Sequence, residues 1–366
     1  MSSILDITLL FLASSFFLFL SKSNSKSKSI LFFHAIISCI IVSNRTIGAD
    51  TKIYTSIFEY TGFRSYLSIF SEKENDFELI WNFIIYSLKL LGLNVQSFFF
   101  VALIVALLNL LYSFKLIFKK SDGINLFLFL FWFVMYFQVV NTVRATTAAS
   151  FMPIIVYMLV KQRFLGAISY SFISICFHRS SIVLLLFFTF FMPMTRSFFL
   201  RSLPIFISIL LFAIIFISSN ENIHSFDLFK VLIDKLSIYF YGDFGDEFDG
   251  KPIGLAISLI FISIHYIVFA VCVSCLSILN TTNDVVKKFS FLTLFFSFVS
   301  FVILSLGMIN VSYRILSIVS FLLVFMLFDL FESQTVSAKV KLYLILIMVW
   351  GFFIHFSFYS EIGFAF

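Results

Sequence analysis

The sequence predicts an all-α polytopic integral membrane protein, a single domain of residues 1–366 with about twelve transmembrane helices. Of its 366 residues, 61% are hydrophobic and only 12% are charged, whereas soluble domains have about 45–50% apolar and about 25% charged residues. Phenylalanine alone accounts for 57 residues, and the apolar residues lie in long runs separated by short polar segments. A soluble enzyme, a nucleic-acid-binding protein and a secreted disulfide scaffold are therefore excluded.

The apolar runs define twelve candidate spans. They cover residues 4–20, 30–43, 96–114, 124–140, 145–160, 164–177, 181–194, 202–218, 253–276, 290–309, 314–331 and 342–358. The first run lacks the basic leader and small-residue cleavage site of a signal peptide, so it is interpreted as a span. Polar side chains interrupt residues 78–93, which are predicted to lie in the outer interface. Two larger outward-facing loops remain, about 44–95 and 219–252, and are predicted to pack over the bundle.

The distribution of charge predicts the orientation, because cytoplasmic loops of membrane proteins are enriched in Lys and Arg. If alternate loops are cytoplasmic, starting with residues 21–29, they hold 14 of the 25 Lys and Arg but only four of the 19 Asp and Glu. That side then carries +10 and the other side −4, which together give the net charge of +6. Both termini are therefore predicted to face outward.

Several basic residues nevertheless lie at the outward ends of the spans, where few are expected. They are Arg45, Arg144, His178, Arg179 and Arg314. Each one alone could extend to the lipid headgroups. A charge near hydrocarbon is costly unless it is paired or hydrated, however, so five of them together favour a functional site. Guanidinium groups bind phosphate bidentately, which suits a lipid-linked phosphate or pyrophosphate.

Other polar residues have competing interpretations. His178 could accept or donate a proton near neutral pH, or its ring could bond a neighbouring backbone carbonyl. The acidic loop around Asp243 could bind sugar hydroxyls or a divalent cation, or it could simply be solvated. Three histidines inside spans are interpreted as structural: His34, His265 and His355. The sequence has no nucleotide-binding loop, no HExxH or GxSxG motif and no metal-ligand cluster, so no metal or cofactor is predicted.

Several of these residues belong to motifs that occur in one order along the chain. Arg45, Gly48, Asp50 and Tyr54 lie in the first outer loop, which continues with Asp76-Phe77-Glu78 and Leu91-Gly92-Leu93-Asn94. Asn141 and Arg144 open a helix of small residues, His178 and Ser180 follow at a span end, and Arg314 comes late. In these motifs the chain resembles the EpsG/Wzy-type polysaccharide polymerases of bacterial exopolysaccharide, capsule and O-antigen assembly.

The resemblance implies a GT-C-like helical bundle and a metal-independent inverting glycosyltransferase. Such an enzyme joins undecaprenyl-pyrophosphate-linked oligosaccharide repeat units on the outer face of the bacterial cytoplasmic membrane, and it needs no cofactor because the sugar–pyrophosphate bond is already activated. The lipid bilayer and the lipid-linked oligosaccharides are the implied partners. A chain-length regulator and a flippase are expected beside them, and no nucleic acid is expected.

The resemblance also implies a role for each of several residues. Arg144 and Arg314, assisted by Arg45 or Arg179, are expected to hold the donor pyrophosphate and to stabilise its charge as it leaves. His178 is expected to accept the proton of the acceptor hydroxyl or to position that hydroxyl. Asp50 is expected to be an alternative base or a partner of Arg45. The remaining candidates are expected to bind the glycan: Tyr54, Tyr241 and Asp243.

Three alternatives remain open. An O-antigen ligase would share the architecture and the Arg and His chemistry. A flippase or other transporter agrees with the number of spans, but transporters usually place ionisable groups near the bilayer midplane and contain internal repeats, whereas the charges here lie at the outer ends of the spans. A membrane-bound acyltransferase with a catalytic histidine would draw its donor from the cytoplasm, whereas His178 is predicted to lie outside.

Overall fold

The computed structural model describes residues 2–23, 28–44, 49–60, 62, 78–120, 122–178, 181, 252–305 and 309–363. All regular structure in these residues is α-helical. In chain order the helices are α1 (Ser2–Ser23), α2 (Lys28–Ser43), α3 (Ala49–Tyr60), α4 (Leu79–Leu90), α5 (Val95–Phe118), α6 (Ile124–Asn141), α7 (Val143–Ala149), α8 (Met152–Val160), α9 (Phe164–Phe177), α10 (Pro252–Asn280), α11 (Asp284–Ser305), α12 (Ile309–Glu332) and α13 (Ala338–Gly363).

Five segments of the described chain are helical, long and apolar enough to cross a membrane. They are Val95–Phe118, Val143–Val160, Ile260–Asn280, Asp284–Ser305 and Ala338–His355. The all-helical prediction is therefore confirmed, and these segments agree with a polytopic membrane protein. The count of twelve spans stays a prediction. Candidate spans 181–194 and 202–218 lie outside the described residues except for Ser181, and the loop 219–252 does so except for its last residue.

Helices α6 and α12 form the centre of the bundle. Every residue of α12 from Leu322 to Phe328 is completely buried, as expected for a helix that is apolar on all sides. Aromatic rings fill the contact between the central helices, with the Phe127 and Phe325 centroids 4.8 Å apart. The Phe114 ring on α5 lies 4.8 Å from the ring of Phe328. These phenylalanine rings pack edge to face against one another in the interior.

A buried polar network joins α1, α2 and α6. The Nδ1 atom of His34 lies 2.9 Å from Asn125 Oδ1, and its Nε2 atom lies 3.1 Å from Ser14 Oγ. The imidazole also stacks on Phe17. Because both ring nitrogens have partners inside the protein, His34 has the structural role that was predicted for it.

Three of the loops predicted to be cytoplasmic meet at one end of the bundle. Lys120 Nζ lies 3.0 Å from Glu332 Oε2 and connects the loop after α5 to the end of α12. The amide of Asn283, in the loop before α11, donates to the carbonyl of Ile117 at 3.2 Å. The structure therefore groups loops that the alternation of Lys and Arg had placed on one side.

The predicted span 145–160 consists of two helices, α7 and α8, separated at Ser150 and Phe151. Pro153 lies at the beginning of α8, where its missing N–H leaves no helical hydrogen bond unmade. The Ser150 hydroxyl donates to the Thr147 carbonyl at 2.6 Å and accepts from Asn109 at 3.0 Å. These bonds hold the break in place inside the protein.

The described part of the first outer loop contains two helices. In α3, Thr51, Tyr54 and Phe58 are buried, a spacing that places them on one face of the helix. Helix α4 has 12 residues, which is about 18 Å of helix against about 30 Å of hydrocarbon. A helix of that length does not cross a bilayer by itself, in agreement with the interfacial position predicted for this segment.

Gly123 at the start of α6 is expected to tolerate no side chain. Its φ is +82°, and an added Cβ would lie 2.8 Å from two ring carbons of Phe328. We expect Gly123→Ala to lower the free energy of unfolding by about 2–4 kcal/mol, because backbone strain and overpacking add. Gly92→Ala is the matched control, because Gly92 also has a positive φ but a Cβ added there would meet no neighbouring atom within 4 Å. Thermal unfolding in detergent compares them, and equal losses would contradict the packing argument.

Candidate active site

Three segments that are distant in the chain meet at the other end of the bundle. They are the residue before α4, the junction between α6 and α7, and the end of α9. These segments bring together Glu78, Arg144 and His178, whose side chains are 6%, 23% and 18% exposed. The acid is thus buried behind two basic groups that remain partly accessible.

Arg144 lies in the first turn of α7, just after the chain changes direction. Helix α6 ends at Asn141, and Thr142 has φ −133° and ψ 61°, which is not helical. The Nη1 atom of Arg144 lies 2.9 Å from Glu78 Oε2. Its Nε donates to the hydroxyl of Tyr54 at 3.3 Å, and the guanidinium lies 5.8 Å from the centre of the Tyr54 ring. A charge at the end of an apolar helix is thereby paired inside the protein, as its cost in hydrocarbon requires.

His178 follows the last residue of α9 and has an extended backbone, with φ −159° and ψ 116°. Its Nδ1 atom lies 3.0 Å from Glu78 Oε1. One carboxylate therefore holds both basic residues, each through a different oxygen. Because the Glu78 carboxylate carries two acceptor atoms, neither contact displaces the other.

Trp81 fixes the position of Glu78 relative to His178. Its indole Nε1 donates to the carbonyl of Phe177 at 2.6 Å, one residue before His178. The rings of Trp81 and Phe177 pack with centroids 5.3 Å apart, and the Trp81 side chain is completely buried. The start of α4 is thus attached to the end of α9 beside the three charged groups.

The surroundings of Glu78 favour its ionised form. Burial alone would raise the pKa of the Glu78 carboxyl. The hydrogen bond with His178 and the positive charge of Arg144 outweigh burial and lower this pKa from the ordinary 4.5 to about 2. At neutral pH the site therefore contains a carboxylate, which can only accept hydrogen bonds.

The depressed pKa of Glu78 predicts how the site responds to acid. An acid whose pKa is lower in the folded than in the unfolded protein stabilises the fold when it is ionised. This stabilisation is complete at pH values above the unfolded pKa, near 4.5, and it is lost as the pH falls towards about 2. We expect the fluorescence of Trp81 to be constant from pH 8 to about 4 and to change only as the pH approaches about 2, where Glu78 takes up a proton in the folded protein. The Trp81→Phe variant identifies that signal among the three tryptophans.

Two outcomes decide this prediction. In Glu78→Gln the transition near pH 2 should be missing, because the titrating group is gone. A transition that persists in that variant, or one that begins above about pH 4 in the wild type, would contradict the assignment of the acid response to Glu78.

The predicted site residues are only partly within the described residues. Arg144, His178 and Tyr54 lie together, and Tyr54 is buried against Phe98 and Phe99 with its hydroxyl bonded to Arg144. Asp50 lies in the first turn of α3 and Arg314 in the first turns of α12, but their side chains are outside the description. Four further predicted residues lie outside the described chain: Arg45, Arg179, Tyr241 and Asp243. Their predicted roles, and the glycan-binding role of Tyr54, stay predictions.

Glu78 was not predicted as a site residue. It lies within the motif Asp76-Phe77-Glu78, where nothing in the sequence distinguishes it from the other acids of the loop. The available signal was its position directly before an apolar helix that begins Leu-Ile-Trp. An acid at that position can cap the helix, remain solvated or pair with a buried cation, and the Glu78 side chain makes no capping bond.

The fold and the site together define the class of protein: an apolar helical protein in which a buried carboxylate holds an arginine and a histidine at one end of the bundle. The profile of the EpsG family matches residues 28–366. The chain therefore belongs to the EpsG family, the family of Wzy-type polysaccharide polymerases. No curated protein and no solved structure matches the chain. Membership of this family indicates a glycosyltransferase-type polymerase of polysaccharides.

Proposed function

We propose that this protein is an inverting glycosyltransferase that polymerises undecaprenyl-pyrophosphate-linked oligosaccharide repeat units into O-antigen, capsule or exopolysaccharide. One observation carries the proposal: in a chain of the EpsG family, Arg144 and His178 converge on Glu78 at one end of the helical bundle. A cation suits a phosphate leaving group, and an imidazole suits the transfer of a hydroxyl proton. A glycosyl transfer from a pyrophosphate donor involves both a phosphate leaving group and a hydroxyl that loses its proton.

In the proposed reaction the growing chain is the donor and a new lipid-linked unit is the acceptor. A hydroxyl at the non-reducing end of the acceptor attacks the anomeric carbon of the donor. The new carbon–oxygen bond forms as the bond between the anomeric carbon and the pyrophosphate oxygen breaks, and that oxygen takes the electron pair. The hydroxyl proton passes to His178. A single displacement of this kind inverts the configuration at the anomeric carbon.

The basic residues would divide the work between the two substrates. Arg144 would bind the leaving pyrophosphate with Arg314, assisted by Arg45 or Arg179. His178 would act on the acceptor, with Asp50 as the alternative base or as the partner of Arg45. Tyr241 and Asp243 would contact the glycan, whereas Tyr54, which is buried and bonded to Arg144, would support that arginine.

The proposed setting is the bacterial cytoplasmic membrane. Twelve spans in a GT-C-like bundle, with both termini outside, would place Glu78 and its partners on the outer face, where lipid-linked units are joined. The asymmetry of Lys and Arg between alternate loops supports this orientation. A flippase would deliver the lipid-linked units to this face, and a chain-length regulator would act on the product.

The surface polysaccharide of a deletion strain tests the proposed function. Gel analysis should show that long chains collapse to a single repeat unit and that the wild-type gene restores them. Complete loss of surface glycan, with lipid-linked units retained inside the cell, would identify a flippase instead. Full-length polymer that stays on its lipid carrier would identify a ligase.

A further inference from the structure

The carboxylate of Glu78 is placed to control two groups at once. It is buried, whereas Arg144 and His178 are partly exposed on its two sides. The backbone also fixes it, because the Glu78 carbonyl accepts from Trp81 N at 2.9 Å and from Asn82 N at 3.2 Å. The Trp81 indole then holds α4 against the residue before His178. Glu78 therefore contacts the groups expected to meet substrate while lying behind them.

The hydrogen bond to Glu78 determines which nitrogen of His178 carries a proton. An ionised carboxylate only accepts, so His178 Nδ1, at 3.0 Å from Oε1, must donate. In the neutral ring the lone pair is then on Nε2. An imidazole in water prefers the opposite arrangement, with its proton on Nε2. The base that an acceptor hydroxyl needs is the Nε2 lone pair, and Glu78 selects it.

The second oxygen of Glu78 holds Arg144 in place. Oε2 lies 2.9 Å from Nη1 of Arg144, and the Tyr54 hydroxyl lies 3.3 Å from Nε. Two contacts on different guanidinium nitrogens fix both the position and the plane of the fork. The same carboxylate thus sets the spacing between the group for the leaving pyrophosphate and the group for the attacking hydroxyl.

We propose that Glu78 is the positioning residue of this site, which fixes His178 as the Nδ1–H tautomer and holds Arg144 at a set distance from it. The inference rests on the proposed function for its consequence in catalysis, but not for its structural content. Glu78 acts through its two neighbours, in the same way that the acid of a Ser-His-Asp triad acts through its histidine.

The test is the ¹⁵N NMR spectrum of the histidines in the full-length protein in detergent. The chain has five histidines, and His178→Gln identifies the signals of His178 by their loss. In the wild type at pH 8, Nδ1 of His178 should be the protonated nitrogen. An Nε2–H tautomer in the wild type would overturn the proposal, and this measurement needs no variant of Glu78.

Glu78→Gln should reverse the tautomer. Arg144 carries only donors, so the new amide would turn its oxygen to Arg144 and its NH₂ group to His178. Nδ1 would then have to accept, and the proton would move to Nε2. Glu78→Asp keeps the charge and should retain the Nδ1–H form at least in part. Glu59→Gln is the matched control, because Glu59 is an exposed acid on α3, and it should change nothing.

Polymer length separates this inference from the proposed function. Glu78→Gln should shorten the polymer as severely as His178→Ala, and the double variant should be no worse than either single one, because both changes disable one unit. If the deletion strain loses its polymer but Glu78→Gln keeps wild-type polymer and the Nδ1–H tautomer, the role of Glu78 is wrong and the function stands. If deletion leaves the polymer intact, the proposed function is wrong whatever the tautomer.

Discussion

Replacing Arg144 with alanine is expected to abolish long-chain polymer. Removal of one preorganised charge contact to a leaving group typically costs about 2.7–4 kcal/mol, which slows the reaction roughly 100- to 1,000-fold. In this protein Arg144 Nη1 lies 2.9 Å from Glu78 Oε2. The substitution would therefore also leave the buried Glu78 carboxylate without this cation. The measurement is the ladder of surface polysaccharide in a deletion strain complemented with Arg144→Ala, which should contain only single repeat units.

Two further variants show whether charge or shape is required. Arg144→Lys keeps the positive charge but loses the planar fork that contacts Glu78 and Tyr54 together, so it should restore the polymer only in part. Arg163→Ala removes an exposed arginine at the opposite end of the bundle and should leave polymer length unchanged. Immunoblotting of the membranes must show equal amounts of all variants. Wild-type ladders from Arg144→Ala would contradict the role of Arg144.

The helices that carry the site were largely predictable, because their boundaries depend on local patterns. The predicted span 124–140 corresponds to α6 (Ile124–Asn141), and the predicted span 164–177 corresponds to α9 (Phe164–Phe177). Long apolar runs bounded by Lys, Gly or Asn leave few alternatives for where a helix begins and ends. These predicted boundaries put Arg144 and His178 at helix ends on the outward side, and in the structure the two helix ends lie together.

Helix α3 was missed although the sequence contains its signal. Thr51, Tyr54 and Phe58 recur at helical spacing and are all buried. The charge and aromatic content of the first outer loop are typical of a surface segment, whereas the periodicity of these three residues indicates a helix. Tyr54 was therefore predicted only as a residue for a glycan, whereas its ring packs against Phe98 and its hydroxyl contacts Arg144.

Glu78 could not be predicted as a site residue because its role depends on tertiary burial. Its partners lie 66 and 100 residues further along the chain, and no local pattern encodes those contacts. Charge arithmetic places acids on the outward side but does not distinguish a buried acid from a solvated one. An arginine and a histidine at neighbouring helix ends do imply that an acid or water accompanies them, and that requirement is what the sequence supports.

Replacing His178 is the second change with a large expected effect. His178→Ala should slow polymerisation by about 10²–10⁴-fold, the usual range for loss of a positioned general base. His178→Gln is the sharper variant, because its amide can still bond to Glu78 Oε1 but has no nitrogen basic enough to take the hydroxyl proton. The measurement is the initial rate of polymer formation in detergent, with lipid-linked repeat units extracted from the deletion strain as substrate.

The pattern among three variants distinguishes proton transfer from a structural role of His178. If His178 takes the proton, both His178→Ala and His178→Gln should be slow, while thermal unfolding should show that the glutamine variant is folded. Ser169→Ala, an exposed change on the same helix, should keep the wild-type rate. Imidazole added to His178→Ala should restore part of the activity if a base is all that is missing, because His178 is 18% exposed. A wild-type rate in His178→Gln would exclude His178 as the base, since a side chain that cannot accept the proton cannot be the base, and Asp50 would then be the alternative to test.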